Sequence, residues 1–537
     1  MKKISFPLLL VSGLVFGQAF TKQDTLKGSN TKFRNFWDVK KYELSVEPDF
    51  KQKSIKGNNT ISFEITKDIS NPVFQIDLQQ PMKAGKIECS FPVKKTAKQE
   101  GDFIFIASDK NFKKGEKYTI DITYSGNPVI AKNAPWDGGW VFTEDKNGNP
   151  WMSVADEGIG ASVWLPVKDL WSDEPDNGVV MKIITPIDLT GVGNGRLIDK
   201  KSENGKNIFT WEVKNPINAY SIIPNIGKYV NFKDSYSGEK GKLDLDYWVI
   251  DYNLEKAKKQ FQQVKPMLKA FEYWFGPYPF YEDSYKLVDA PYLGMEHQSS
   301  VAYGNGYKNG YLGSDLSETG VGLNWDYIII HESGHEWFAN NITAKDQADM
   351  WVHEGFTMYS EVLFTENFMD KKSADIYAIG IRNNISNDIP IIGKYGVRNE
   401  GSGDMYPKGA NMIHTIRQVI NNDEKFRQIL RGLNKDFYHQ TITTDQIEKY
   451  ISERSGIDFS SVFNQYLRTI KIPVLEYSQN GEELKYRYVN GIKNLMLPVR
   501  LGDQTITPKE NWQTLKLKNN TPVEWNKNYY IQYKKIQ

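Results

Sequence analysis

The hydrophobic positions of this chain follow two different periods, and the period changes twice along the sequence. From about residue 18 to 251, apolar and polar residues mostly alternate, for example over 42–46, 61–65 and 118–122. The segments are separated by turns rich in Gly, Asn, Asp and Lys. Such alternation is typical of antiparallel strands that bury one face. We therefore predict an N-terminal, sandwich-like β domain over residues 18–251.

The spacing becomes helical near Leu254 and remains so to about residue 471. Phe261, Val264, Leu268 and Phe271 fall on one helix face, which Pro266 interrupts without necessarily ending it. The same period predicts helices over 324–339, 350–367, 373–387, 409–421 and 444–455. We expect residues 252–471 to form one mainly helical domain.

The second change of period comes at Ile472. The segments 475–477 and 484–488 flank Asn480-Gly481 and predict a β-hairpin. The remaining chain is sufficient for a small C-terminal β domain over residues 472–537. The predicted fold class is therefore multidomain α+β, with a helical domain between two β domains.

The N-terminus has the pattern of a targeting segment. Lys2 and Lys3 precede an apolar run over 6–16, which is followed by small residues at Gly17 and Ala19. This pattern predicts a cleavable signal peptide over 1–17, since the run is short for a membrane span. The alternative is a buried N-terminal strand. With a signal peptide, the protein is expected to be exported, either to the periplasm or beyond the cell.

The composition excludes several classes of protein. The chain has 39% hydrophobic and 13% aromatic residues, enough for packed cores, and disorder is not expected. The net charge is +1 without a long basic run, so we expect neither a nucleic acid nor an anionic membrane as partner. No other stretch is apolar and long enough to cross a bilayer. Cys89 is the only cysteine, which excludes an internal disulfide and favours a small buried apolar residue.

The clearest chemical signal lies within the predicted helix 324–339. His331 and His335 are one turn apart and present two nitrogen ligands on one face, about 6 Å apart along the axis. Glu354, at the start of the next predicted helix, completes the three-ligand set of a catalytic zinc site. Glu332 lies beside the histidines, where a general base acts on water. The pattern predicts peptide hydrolysis with one Zn²⁺ per chain, and the alternative is a chance pattern in packed helices.

Two further residues have candidate roles in such a site. Glu296 follows Gly294, whose backbone can approach a ligand closely, and a buried carboxylate there would pair with a free substrate amine. Taken alone, the segment favours a strand end with a solvated Glu296 over an amine-binding site. Tyr406 precedes the predicted helix 409–421 and is compatible with simple packing. A neutral phenol there would also donate a hydrogen bond to a tetrahedral oxyanion.

Together these segments resemble the aminopeptidase N and leukotriene hydrolase family of gluzincin metallopeptidases. The resemblance rests on H-E-x-x-H at 331–335 with Glu354, the Gly-x-Met-Glu-Asn type motif at 293–297, and Tyr-x-Lys-Gly at 406–409. It implies a saddle-shaped N-terminal β domain, a thermolysin-like zinc domain and a small β domain. It also implies that Glu296, with Gly294 and Met295, binds peptides through a free N-terminal amine, and that Tyr406 stabilises the transition state.

The chain departs from the family pattern at several positions. His297 replaces the usual Asn, and Leu293 stands where many members have a small residue. Glu157 falls where the family commonly has a Gln that helps to hold the first substrate residue. A second carboxylate there would strengthen amine binding or favour a basic first residue. The sequence also ends after the small β domain, and without the family's C-terminal helical domain we expect an open cleft or closure by a partner.

Three interpretations of the chain follow. The first is a zinc aminopeptidase with Glu332 as base and Tyr406 as oxyanion donor. The second is a zinc endopeptidase of the same clan, which would cleave N-terminally blocked peptides. The third is a non-catalytic family member that acts as a binding module, against which the intact ligands, Glu332 and Tyr406 all speak.

Overall fold

The computed structural model describes residues 19–94 and 97–537. The signal peptide predicted over 1–17 lies outside these residues. Among the helices in the described ranges, none combines the length and the apolar character that a membrane crossing requires.

The N-terminal part is built on a seven-stranded sheet. Its strands, in spatial order, are Arg196–Glu203, Lys206–Val213, Val179–Pro186, Trp37–Asp49, Ser54–Ile65, Lys117–Gly126 and Lys83–Cys89. Neighbouring strands are antiparallel, except for the parallel pair Trp37–Asp49 and Val179–Pro186. Alternating residues of these strands are buried, as the period-two pattern requires.

Smaller sheets cover the buried face of this large sheet. They comprise a four-stranded sheet of Gly139–Glu144, Pro150–Ala155, Asn225–Gly227 and Thr190–Val192; a three-stranded sheet of Val73–Asp77, Phe103–Ala107 and Lys98–Glu100; and the pair Ile69–Ser70 with Asn111–Phe112. The core between them includes Trp37, Phe63, Phe74, Trp140 and Trp211. The predicted β domain is confirmed, and its inner faces are rich in aromatic residues.

Cys89 is only half-buried, although the sequence favoured a buried position. It ends the strand at the edge of the seven-stranded sheet, so one side of the residue has no neighbouring strand. Burial still raises the pKa of its thiol to about 11, which keeps the thiol protonated at neutral pH.

A five-stranded sheet joins the predicted N-terminal and helical domains. Its strands, in spatial order, are Tyr229–Gly238, Gly241–Ile250, Tyr285–Asp289, Val301–Tyr303 and Gly294–Met295. The predicted boundary at residue 251 thus falls between strands of one sheet. Leu245 and Tyr247 pack in the same core as Phe261 and Trp337 of the helical domain. The strands over 229–250 therefore support the helical domain rather than the preceding sandwich.

Ten α-helices, nine of them after residue 253, occur in the described part of the chain. They are labelled α1 to α10 in chain order: Lys22–Gly28, Leu254–Gln260, Val264–Phe275, Tyr327–Gly334, Trp351–Phe368, Lys371–Gly380, Pro407–Ile420, Asp423–Asp436, Thr444–Ser455 and Ser460–Leu467. A short parallel pair, Ile342–Ala344 with Gln440–Ile442, lies among them. The mainly helical domain is thus confirmed.

The helix bounds differ from the sequence pattern at informative places. Pro266 lies in the first turn of α3, where its missing N–H breaks no helical hydrogen bond. The prediction of a helix over 324–339 is too long at both ends. Asp326 caps α4 by accepting from the backbone N–H groups of Ile328 and Ile329. The helix ends at Gly334, which packs so closely on α5 that a Cβ there would lie 2.5 Å from Ser360 Oγ.

The C-terminal part is a small β domain, as predicted. A four-stranded sheet contains, in spatial order, Gln513–Lys516, Glu483–Val489, Val474–Asn480 and Gln532–Lys535, and a separate hairpin pairs Val499–Leu501 with Gln504–Ile506. The predicted hairpin turns at Gly481, whose φ is +60°. The domain docks on α7 and α10, where Tyr530 donates its backbone N–H to Thr415 and accepts from Tyr466.

Candidate active site

Helices α4 and α5 bring the two histidines and Glu354 together. His331 lies in the last turn of α4 and His335 caps its C-terminus, while Glu354 lies in the first turn of α5. One carboxylate oxygen of Glu354 is 3.5 Å from His331 Nε2 and 3.4 Å from His335 Nε2. All three side chains are buried. Two elements that are separate in sequence thus present three donor atoms to one point.

Hydrogen bonds on the far side of each imidazole fix its orientation. His331 Nδ1 lies 2.6 Å from Glu361 Oε1, and Glu361 also accepts from the Tyr377 hydroxyl. His335 Nδ1 donates to the Phe338 carbonyl at 3.1 Å and lies the same distance from the Thr357 hydroxyl. Because Nδ1 is the donor on both rings, Nε2 of each carries the lone pair for a metal.

The three donors fit a zinc ion by chemistry and spacing. Their ligand atoms all lie within 4.8 Å of one another. Glu354 Oε2 is buried and has no hydrogen-bond partner in residues 19–94 and 97–537, and it is the oxygen that faces both imidazoles. A buried carboxylate without a partner is costly, and a divalent cation bound by two imidazoles and a carboxylate removes that cost.

Glu361 is a functional residue that the sequence analysis missed. It lies two turns after Glu354 on α5, so both carboxylates project from one helix face. That seven-residue spacing was the available signal. The carboxylate accepts from His331 and so increases the basicity of that ligand.

Glu361→Gln is expected to lower zinc affinity by about 10- to 100-fold, because the neutral amide holds His331 less firmly. Competition with a chelator of known affinity measures the change. Glu366→Gln is the matched control, since Glu366 lies on the same helix but pairs with Arg417 away from the histidines. Equal zinc affinities of the two variants would contradict this role of Glu361.

Glu332 lies beside the histidines, under the strand Gly294–Met295. Burial raises the pKa of its carboxyl to about 7. A Cβ at Gly294 would lie only 2.8 Å from Glu332 Oε1. The absence of a side chain at Gly294 therefore leaves room for the Glu332 carboxylate. From the sequence we expected a different role for this glycine, namely to let the backbone come close to a ligand.

Glu296 and Glu157 place two neighbouring carboxyl groups in the same site. Glu296 is 3% exposed, and its Oε1 has no hydrogen-bond partner within the described part of the chain. The same is true of Glu157 Oε1. Burial, followed by the neighbouring Glu296 carboxyl, raises the pKa of Glu157 well above its usual range. A cation bound beside the pair would favour the charged form of both carboxyl groups.

Tyr406 is placed over the histidines by the close approach of α5 and α7. Gly355 and Gly409 meet at the crossing, where a Cβ on Gly409 would lie 3.1 Å from Gly355 Cα. The Tyr406 ring stacks on His331 with 6.0 Å between ring centroids. Burial, followed by the charge of Glu354, raises the pKa of its hydroxyl well above its usual range. The hydroxyl is therefore a hydrogen-bond donor at neutral pH.

One cavity of about 650 Å³ contains every predicted site residue. Its walls include further residues that the sequence analysis did not assign, among them Trp136, Gln347, Arg398 and Glu400. The predicted residues lining it are Glu157, Gly294, Met295, Glu296, His331, Glu332, His335, Glu354 and Tyr406.

His297 does not line this cavity, although it directly follows Glu296. Its ring is fully buried, and neither ring nitrogen has a hydrogen-bond partner in the residues described by the structure. Burial lowers the pKa of the ring to about 3, so it is neutral. The structure gives no reason for histidine in the position of the family's Asn.

Comparisons with known proteins agree with a metallopeptidase of the gluzincin type. Residues 252–466 match the sequence model described as the peptidase family M1 domain, and residues 39–221 match that of the peptidase M1 N-terminal domain. The two matches cover most of the chain. The chain belongs to peptidase family M1, and its cofactor is zinc.

Several named relatives and solved structures are similar to this chain. "Probable aminopeptidase 2" of Sulfurisphaera tokodaii is 20% identical over 83% of this chain and 55% of that protein. "Leucyl aminopeptidase" of Saccharolobus solfataricus is 22% identical over 61% of this chain and 43% of that protein. The chain thus spans about half the length of these relatives. A two-domain M1 zinc metallopeptidase bound to L-tryptophan has the same fold, with a TM-score of 0.69 at 18% identity over 82% of this chain and 97% of that chain.

Proposed function

We propose that this protein is a zinc aminopeptidase that removes N-terminal residues from peptides. The observation that carries the proposal is the buried Glu296 side chain, whose Oε1 has no hydrogen-bond partner among the described residues and which shares a cavity with the metal-site residues and Glu332. Such a carboxyl provides a binding site for a substrate ammonium group. It also blocks the chain from extending further, as an exopeptidase requires.

His331, His335 and Glu354 are the residues that hold zinc in this proposal. When bound, zinc supplies a Lewis acid that lowers the pKa of water and polarises a carbonyl group. Two imidazoles and one carboxylate leave a coordination position open, as in catalytic rather than structural zinc sites. Glu361 and the Phe338 carbonyl keep both imidazoles in the required tautomer.

Glu332 acts as the general base and then as the general acid. It accepts a proton from the attacking water and delivers it to the leaving amine, so the carboxylate is regenerated in each cycle. Its pKa of about 7 suits both steps near neutral pH. Tyr406 donates a hydrogen bond to the oxyanion that forms on the scissile carbonyl.

Glu296 pairs with the ammonium group of the first substrate residue, with Glu157 beside it and Gly294 and Met295 forming the adjacent wall. The pairing fixes which peptide bond reaches Glu332. Glu157 either strengthens binding of the amine or favours a basic first residue. In the same proposal the protein is exported, as its first residues predict.

Two other functions of this fold make different predictions. An endopeptidase requires a cleft that accepts the peptide chain on both sides of the scissile bond, and the carboxyl groups of the buried Glu296 and the half-buried Glu157 oppose this. A binding module has no use for a general base between two metal ligands. Both arguments favour the aminopeptidase.

The purified protein is expected to hydrolyse leucyl p-nitroanilide and to lose that activity with a chelator and regain it with Zn²⁺. N-acetylation of the same substrate is expected to abolish hydrolysis, because the amide carries no charge to pair with Glu296. Zinc content is measured in parallel. Hydrolysis of the acetylated substrate would favour the endopeptidase, and a zinc-loaded protein without any hydrolysis would favour the binding module.

A further inference from the structure

Arg398 has no part in the chemistry proposed above, yet it belongs to the helical domain, lines the catalytic cavity and contacts the N-terminal β domain. It lies between α6 and α7, and its side chain reaches the N-terminal β domain at the loop that carries Glu157. We infer that Arg398 is a positioning residue that holds the Glu157 loop in place for binding the substrate amine. The inference rests on the proposed function.

The guanidinium group of Arg398 fixes this loop through three contacts. Its Nη1 donates to the Ile159 carbonyl at 2.8 Å, two residues after Glu157. Its Nη2 donates to the Asp169 carbonyl at 3.1 Å and lies 2.8 Å from Asp169 Oδ1. Asp169 Oδ2 in turn accepts from the backbone and hydroxyl of Ser162, at 3.2 and 2.6 Å. Both sides of the loop are therefore tied to one charged, planar group.

The backbone is shaped to admit this side chain. Gly160 has a φ of +94°, and a Cβ there would lie 1.9 Å from Arg398 Nη1, so only glycine fits. Arg398 itself has a φ of +51°, in the left-handed region that costs a non-glycine residue energy. A strained residue whose side chain bridges two cavity walls is typical of a functional constraint.

Buried neighbours hold Asp169 from the opposite side. Arg34 donates to Asp77 at 2.9 Å and to the Asp169 carbonyl at 3.3 Å. Asp77 also accepts the backbone N–H of Asp169 at 3.0 Å. Asp169, which accepts from Arg398, is therefore held in position by residues in the core of the β domain.

Gln347 of the helical domain makes a further hydrogen bond to the same loop. Its side-chain amide donates to the Glu157 carbonyl at 3.1 Å. A loop held in this way presents the Glu157 carboxyl beside Glu296 before substrate arrives. Binding of the ammonium then needs little reordering, which improves affinity. Arg398 makes no contact with Glu332 or the zinc ligands, so the chemical step does not depend on it.

Arg398→Met removes all three contacts while keeping an unbranched side chain that replaces the stem of the arginine but not its guanidinium group. For leucyl p-nitroanilide, we expect KM to rise about tenfold and kcat to change by less than about threefold, because substrate binding rather than the chemistry is disturbed. Arg398→Lys keeps a charge beside Asp169 but loses the forked geometry, so its KM is expected to lie between those of the wild type and the Met variant. The lysine variant also serves if the methionine variant does not fold.

A double-mutant cycle separates positioning of Glu157 from a general loss of stability. If Arg398 acts through Glu157, then adding Glu157→Gln to Arg398→Met raises KM no further than the more severe single change. Arg417→Met is the matched control, because Arg417 is a buried arginine with ion pairs to Glu366 and Asp423 outside the cavity. It is expected to lower the melting temperature and leave KM unchanged.

The outcomes separate this inference from the function on which it rests. A non-additive KM effect confined to the Arg398 variants supports it. An active wild type with an unchanged KM in both Arg398 variants overturns it, and so do multiplicative effects in the cycle. A zinc-loaded wild type without aminopeptidase activity contradicts the proposed function, and it then contradicts this inference as well.

Discussion

Glu332→Gln is expected to lower kcat by about 10²- to 10⁴-fold while the protein keeps its zinc. The amide has nearly the same shape as the carboxylate but cannot accept a proton from water at neutral pH. The change leaves both imidazoles and Glu354 in place, since none of the contacts that orient these ligands involves Glu332. Steady-state kinetics and metal analysis of one preparation test both parts of the prediction.

Glu332→Asp provides the graded comparison. The aspartate retains a base but withdraws it toward the helix, so its kcat is expected to lie between those of the wild type and the glutamine variant. Measurement of substrate binding by the glutamine variant shows whether the site is otherwise intact. A glutamine variant that holds zinc and turns over at the wild-type rate would exclude Glu332 as the base.

Tyr406→Phe is expected to lower kcat by about 10²- to 10³-fold, the usual cost of losing one donor to an oxyanion. The phenol is a neutral donor because burial, followed by Glu354, raises its pKa well above its usual range. The variant keeps the ring that stacks on His331, so zinc content and stability should be unchanged. KM should also change little, because the hydrogen bond forms in the transition state.

Tyr438→Phe controls for the loss of a hydroxyl as such. Tyr438 is 38% exposed, and its hydroxyl donates to the Pro279 carbonyl outside the catalytic cavity. Its removal is expected to leave kcat unchanged. If Tyr406→Phe were as active as Tyr438→Phe, the oxyanion would have to be stabilised without Tyr406.

The fold could be predicted from the sequence wherever a local pattern was regular. The helix over 444–455 agrees with the structure at both ends, and the hairpin around Gly481 lies where the turn residues indicated. The strands over 229–250 were recognised as strands, but their sheet was not, because alternation identifies a buried face and not the partner that buries it. The zinc helix is shorter than predicted, because Asp326 caps its start and it ends at Gly334, which packs closely on α5.

The site could be predicted only where its residues lie close together in sequence or match the family's motifs. The contact of Glu361 with His331 could have been predicted from the seven-residue spacing between Glu354 and Glu361. The contacts of Arg398 could not, because Ile159 and Asp169 lie more than 200 positions away in sequence. The sequence also did not show why position 294 requires glycine, because only the folded chain places Gly294 against Glu332.

The sequence by itself determined the order of β, helical and β regions and the pair of histidines on one helical turn. Both follow from local periodicity, because side-chain direction repeats every two residues in a strand and every 3.6 in a helix. The tertiary structure alone decided that Glu157, Glu296, Glu354 and Tyr406 share one cavity with those histidines. Their distances depend on packing between distant elements, such as the contact of Gly355 with Gly409, which no local period encodes.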